Sequence, residues 1–419
     1  MSSAANLRMV SRNKRANIVT QPLRTSIGRY LLYTVTFEAA LLGSGRMLEI
    51  GPVTVKMLLY ALTLLYTAWS LLALESLRRS TLLLLASFGA LLSFGIANGL
   101  THSADMQYLG SDVSPLISFL VLPFYELTIR TERDVWTAVQ IIVVAALIMT
   151  ACYATIAICF LSQIVSFLTL YQWLVRVGGD DFIFEGEASR LFYKGTLFIV
   201  IAFLFLLFRK GRWARVAAFI LFMSLFAVGL RGFFLALAIC GILYVFIGPL
   251  SATKKVSVGF VVLSLAVVLI PRVLALSGDK TASNSERLTA ISEVSDRLTP
   301  SSILVGNGLG IGVPIRPGHM EIIYLEIFHK QGLVGLLWWA TLIGIAVVRW
   351  KRAVGAGKGQ LAYPLLLAIA FVCFESATNP FLNNPIGLYA FIICYVALGV
   401  LARSNVGPSA NLVQNLATT

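Results

Sequence analysis

Apolar runs of about 17–25 residues recur along this chain, each long enough to cross a hydrocarbon core of about 30 Å. They fall near 28–45, 53–75, 80–100, 113–129, 136–160, 191–208, 214–230, 232–250, 255–276, 331–348, 361–378 and 385–402. A segment in lipid must satisfy its own backbone hydrogen bonds, so each run is committed to helix. The pattern predicts an all-α integral membrane protein with about twelve transmembrane helices. Composition excludes the soluble alternative: 12% of the 419 residues are charged, about half the share in a globular domain. The apolar stretch 161–175 continues directly from the fifth span and reads as an interfacial helix.

Basic residues set the orientation, because cytoplasmic loops carry the excess of Lys and Arg. With the N-terminus inside, the inner segments hold Arg8, Arg12, Lys14, Arg15, Arg24 and Arg29, then Arg78 and Arg79, then Arg130 and Arg133. They continue with Arg209, Lys210, Arg212 and Arg215, Lys254 and Lys255, Arg349, Lys351, Arg352 and Lys358, and Arg403. Both termini are therefore expected in the cytoplasm. The net charge of +14 is largely this signal and requires no nucleic-acid partner. The first 27 residues lack an apolar core and a small-residue cleavage site, so no removable signal peptide is expected. The five cysteines all fall inside predicted spans, without metal or disulfide spacing, and read as buried, inert thiols.

The chain divides into a basic tail (1–27), a polytopic domain (28–402) and a short C-terminal tail (403–419). Two long loops, 171–190 and 277–330, lie on the outer side, with a third outer turn at 379–385. Long loops in a compact protein are usually functional or disordered, and these share one face of the membrane. Chemistry is expected there.

Arg231 stands alone between two apolar spans, where a cation snorkels into headgroups or clamps phosphate through paired hydrogen bonds. Arg190 ends the acidic loop, and Lys194 lies one helical turn further on. They serve as an interfacial anchor or as a second phosphate clamp. Arg287 opens an amphipathic segment of the large loop. The run Gly306–Gly312 has no strand–helix unit around it, so a nucleotide site is not expected. Gly306, Gly308 and Gly310 instead offer flexible backbone that can approach a substrate. After Pro317 and Gly318 a helix is expected to start at His319, placing His319 and Glu326 on one face. A general base needs reach to a hydroxyl and a suitable pKa, and either His319 or Glu321 qualifies. No HExxH, DxD or His/Asp cluster is present, and the chain has three histidines, so neither metal nor cofactor is expected. Glu38, Lys56, Glu126 and Glu375, within or at the ends of spans, are secondary candidates. So are Asn379, Asn383 and Asn384.

In order and spacing these pieces resemble the bacterial O-antigen polymerase/ligase superfamily over roughly residues 185–340. The resemblance rests on Arg190 ahead of a span, on Leu230-Arg231-Gly232 between two spans, and on Arg287 early in the large outer loop. It extends to the Gly306–Gly310 stretch, and to Tyr324-Leu325 followed by Gly332-Leu333-Val334-Gly335. Ligases of this group usually carry His-Asn three residues before that Tyr, where this chain has Glu321-Ile322, which looks more like the polymerase branch. The resemblance implies a GT-C-like bundle with a large periplasmic loop in the bacterial inner membrane. It further implies an inverting, metal-independent glycosyltransferase that polymerises undecaprenyl-diphosphate-linked repeat units into O-antigen or exopolysaccharide. Arg190, Arg231 and Arg287 would hold the diphosphate. Lys194, Gly306, Gly308, Gly310, Tyr324 and Glu326 would contact substrate, and His319 or Glu321 would serve the acceptor hydroxyl. The implied partners are the lipid-linked donor, an acceptor glycan, the bilayer, a chain-length regulator and a flippase. The alternatives are a ligase that transfers glycan to lipid A core, and a polysaccharide transporter.

Overall fold

The computed structural model describes residues 24–43, 49–50, 53–73, 75–178, 182–185, 190–228, 230–261, 264, 267 and 281–403. Most of both tails (1–23 and 404–419), and most of the predicted span 255–276, lie outside the described residues. What is described is an all-α membrane protein with two small antiparallel hairpins. Among the described residues, five helices are long and apolar enough to cross a membrane: Val55–Leu72, Arg79–Thr101, Met106–Thr128 with its internal breaks, Glu132–Ile156 and Ile323–Gly355. Lys194–Leu207, Arg231–Ile247, Gly359–Glu375 and Pro385–Leu401 are shorter apolar helices.

In chain order we label helices α1 (24–41), α2 (Val55–Leu72), α3 (Arg79–Thr101), α4 (Met106–Ile117), α5 (Leu122–Thr128), α6 (Glu132–Leu161) and α7 (Phe167–Gly178). Then follow α8 (Leu197–Leu207), α9 (Arg212–Val228), α10 (Arg231–Ile247), α11 (252–261), α12 (Thr281–Ser295), α13 (Pro300–Val305), α14 (Ile323–Gly355), α15 (Gly359–Glu375) and α16 (Pro385–Leu401). Helices α8, α15 and α16 are apolar on every side and almost wholly buried, which makes them the centre of the bundle. α2 and α3 carry exposed Leu58, Leu65, Leu72 and Leu83, the faces that meet lipid. α16 starts where Asn384 accepts from Ile386 N–H and Pro385 occupies the first helical position.

Four expectations need correction. The predicted span 113–129 begins earlier, at Met106 behind the Asp105 cap, and passes through a 3-10 turn at Ser118–Val121. Pro115 and Pro123 flank that turn, each removing a backbone donor. The loop 171–190 is instead the end of α7 followed by a hairpin, Phe182–Glu185 paired with Arg190–Tyr193. The large loop contains α12 and α13. Finally, Cys152 is exposed on α6 rather than buried.

Loops gather at two ends. At one, Arg24 and Arg130 both pair with Glu75, Arg78 with Glu126 at 2.8 Å, and Lys358 with Glu132 at 2.6 Å. At the other, reached along α3, α14 and α15, the segment 281–322 packs over the helix ends. Helix α14 is broken at Gly332 (φ 63°, ψ −161°), which separates a short outer segment from the long apolar one.

Candidate functional site

Two linked clusters occupy the loop end. The first is a half-exposed cleft. Arg287 of α12 donates to Glu321 at 2.6 Å, and Arg316 donates to the other oxygen of Glu321 at 2.8 Å. Arg316 also pairs with Glu286. Arg287 reaches further, to the carbonyl of Thr378 at 3.4 Å. Thr378 belongs to the turn after α15, and the start of α10 presses on the same turn. A Cβ on Gly232 would lie 2.6 Å from Glu375 Oε1 and 2.8 Å from Thr378 Oγ1. Arg287 and the start of α10, where Arg231 stands beside Gly232, thus meet the same turn. Glu375 itself is fully buried. Its Oε1 accepts from Asn379, and its Oε2 has no hydrogen-bond partner among the described residues.

The second cluster is buried. Lys330, 2% exposed, spends all three ammonium hydrogens on Asp112 at 2.7 Å, Glu326 at 2.8 Å and the Gly318 carbonyl at 2.8 Å. Glu326 also accepts from His319 Nδ1 at 3.1 Å and from the Met320 N–H at 2.9 Å. Asp112 accepts the Gly310 N–H at 2.7 Å and lies 3.4 Å from His319 Nδ1. The hydrogen bond to Glu326 raises the pKa of His319 above its ordinary value, against the opposing effect of burial. Donor atoms of Asp112, His319 and Glu326 all lie within 4.8 Å of one another, a spacing that could hold a cation. The Lys330 ammonium sits between the two carboxylates and offsets one of their two charges.

The expected helix start at His319 is wrong: α14 begins at Ile323. His319 meets Glu326 because residues 318–322 fold back over the helix. Glu326 serves that loop by taking the Met320 N–H.

The glycine run has a packing role. Gly306, Gly308 and Gly310 have φ of 77°, 98° and 80°. A Cβ on Gly306 would meet the Lys330 carbonyl carbon at 2.3 Å, and one on Gly308 the Gly99 nitrogen at 2.1 Å. The N–H groups of Asn307 and Gly308 donate to the carbonyls of His329 and Lys330, which the break at Gly332 leaves without helical partners. The missing side chains of Gly306 and Gly308 therefore admit backbone. Tyr324 likewise spans inward, donating to the Cys373 carbonyl at 2.6 Å.

The remaining candidates are Arg190 and Lys194. Arg190 is paired in backbone register with Glu185, and its side chain is outside the described part. Lys194 follows in a single 3-10 turn, and among the described residues no hydrogen bond or ion pair joins it to the cleft. Sequence reasoning passed over Asp112, Arg316, Lys330 and Thr378. The spacing of Glu326 and Lys330, one turn apart at a predicted membrane edge, was the available signal. Asp112 had none, since its partners lie about 200 residues away.

Neither a protein-family model nor a curated protein matches this chain.

Proposed function

We propose that this chain is an inverting, metal-independent membrane glycosyltransferase. In this reading it has about twelve spans in a GT-C-like bundle and polymerises undecaprenyl-diphosphate-linked repeat units into O-antigen or exopolysaccharide on the periplasmic face of the inner membrane. The observation that carries the reading is the arginine cleft at the end opposite the basic loops, where Arg287 and Arg316 share Glu321 and Arg287 reaches the Thr378 carbonyl of the turn against which Gly232, next to Arg231, packs. Guanidinium groups bind phosphate oxygens in pairs and stabilise charge growing on a leaving diphosphate. In the free protein Glu321 holds the place of that anion. The donor's diphosphate displaces it and takes over Arg287 and Arg316. A hydroxyl of the acceptor sugar then attacks the anomeric carbon opposite the leaving group.

Deleting the gene and following surface glycan together with lipid-linked intermediates tests this. Single repeat units left on carrier or core support a polymerase. Long chains stranded on the carrier indicate a ligase, which uses the same donor. Normal polymer in normal amount refutes both. That last outcome favours a transporter, a reading supported by the Asp112–Lys330–Glu326 charges set within helices that cross the membrane.

Two further results are expected. Arg231→Lys keeps the charge but not the paired geometry, so polymer formation should fall at least about tenfold with normal membrane levels. Unchanged activity would remove Arg231 from the diphosphate site. In spheroplasts, a membrane-impermeant maleimide should label Ser301→Cys, and should label Gln360→Cys only after lysis. The reverse pattern would invert the orientation.

A further inference from the structure

The buried cluster reaches the imidazole of His319 through Glu326, whose Oε1 lies 3.1 Å from Nδ1, with Asp112 3.4 Å from the same nitrogen. Its Nδ1 faces Glu326, so the hydrogen on that nitrogen is held by the carboxylate and Nε2 is left as the proton-accepting atom. The side chain is 37% exposed while Glu326, Lys330 and Asp112 are at most 2% exposed. The imidazole is the group through which the cluster meets the outside. Glu326 cannot turn away, because its two oxygens are fixed by Lys330 and by the Met320 N–H. Lys330 is fixed in turn by Asp112, which α4 supplies.

We propose that Asp112 and Lys330 are positioning residues that act through Glu326 to present His319 Nε2 as the proton acceptor for the acceptor hydroxyl. The assignment rests on the glycosyltransferase reading. His319 is two residues from Glu321, so at most about 7 Å of chain separates it from the arginine cleft. One substrate can span both. The acceptor oxygen bonds to the anomeric carbon, and the bond from that carbon to the diphosphate oxygen breaks, its electron pair leaving with the diphosphate. The hydroxyl proton passes to His319 Nε2. Glu326 stabilises the imidazolium until water takes the proton. The charged groups facing His319 are Glu326 and Lys330 from α14 and Asp112 from α4. The Tyr108 ring of α4 packs near Gly318 beside it.

The test has two independent readouts on the full-length protein in detergent. The first is modification of His319 by diethyl pyrocarbonate against pH, followed by mass spectrometry, which needs no substrate. Wild type should react with a midpoint above the ordinary imidazole value of about 6.5, and Glu326→Gln and Asp112→Asn should move it. Glu326→Gln should lower it, since the carboxylate that favours the charged ring is gone. A wild-type midpoint at or below about 6.5 overturns the proposal even if the variants do not fold. The second is the pH–rate profile with a prenyl-diphosphate-linked oligosaccharide. His319→Gln should abolish the acidic limb and reduce kcat at least about a hundredfold, with KM for the donor little changed. Glu326→Gln should shift the limb to lower pH. An active wild type whose limb and kcat survive His319→Gln sinks the relay while leaving the glycosyltransferase reading intact. A wild type that never uses the donor sinks that reading, and the assigned roles fall with it.

Discussion

Lys330→Met is expected to abolish accumulation of the folded protein. The ammonium is 2% exposed and answers two carboxylates and a carbonyl. Removing it leaves Asp112 and Glu326 facing each other without a fixed countercharge. Breaking a buried pair from one side typically costs about 3–5 kcal/mol, a large part of the roughly 5–15 kcal/mol that holds a domain folded. Lys358→Met is the matched control. Its partner Glu132 is 2.6 Å away, but both side chains are about one-third exposed, and such pairs contribute about 0–1 kcal/mol. Membrane-fraction yield and thermal unfolding in detergent decide between them. Adding Asp112→Asn to Lys330→Met should restore part of the loss by removing one orphaned charge. Equal stability of the two single variants would mean that the buried cluster does not hold the fold.

Gly308→Ala should be nearly as severe, for a steric reason. Its φ of 98° is one that residues with a side chain rarely adopt, and the added methyl would meet the Gly99 nitrogen at 2.1 Å and its Cα at 2.4 Å. Both obstacles are backbone, so no side chain can swing aside. Gly357→Ala separates the two causes, because its φ of 76° is also left-handed but nothing lies within 4 Å of the new methyl. It should lose only the roughly 1–2 kcal/mol of the backbone conformation. Gly308→Ala must in addition part α3 from the loop, breaking the Gly308 N–H bond to Lys330 and the Leu309 N–H bond to Gly95. Similar melting temperatures for the two variants would show that this contact is not tight.

A milder effect follows from His319. Its raised pKa means the folded state binds the proton more tightly, so this contribution to stability is complete below about 6.5 and is lost as pH rises through the higher folded value. The wild-type melting temperature should therefore decline above neutrality more than that of His319→Gln.

Hydropathy made the helices legible because it measures what a bilayer demands of one segment at a time. It located α2, α3 and α6 to within a few residues, and found α14 but stopped short of both its ends. It failed where a partner decides the outcome. Pro317 and Gly318 signalled a helix start at His319, yet Glu326 accepts the Met320 N–H and holds the chain in a loop until Ile323. The run Gly306–Gly310 suggested open backbone, but whether a glycine faces substrate or another backbone depends on Gly99, far away in sequence. Arg287 was legible as a cation in a loop. Its competition between Glu321 and Thr378 was not, since 34 and 91 residues intervene.

The break at Gly332 separates two duties that an unbroken α14 would have to share. Residues 333–355 anchor against lipid, while 323–331 carry Glu326, His329 and Lys330 and are stitched to the glycine run by the bonds from Asn307 and Gly308. A shift of the anchor with bilayer thickness can be absorbed at one glycine instead of tilting His319 and its carboxylate partners. The charged cluster is held by the glycine run, by α3 through Gly95 and by α4 through Asp112, rather than by the lipid-facing length of α14.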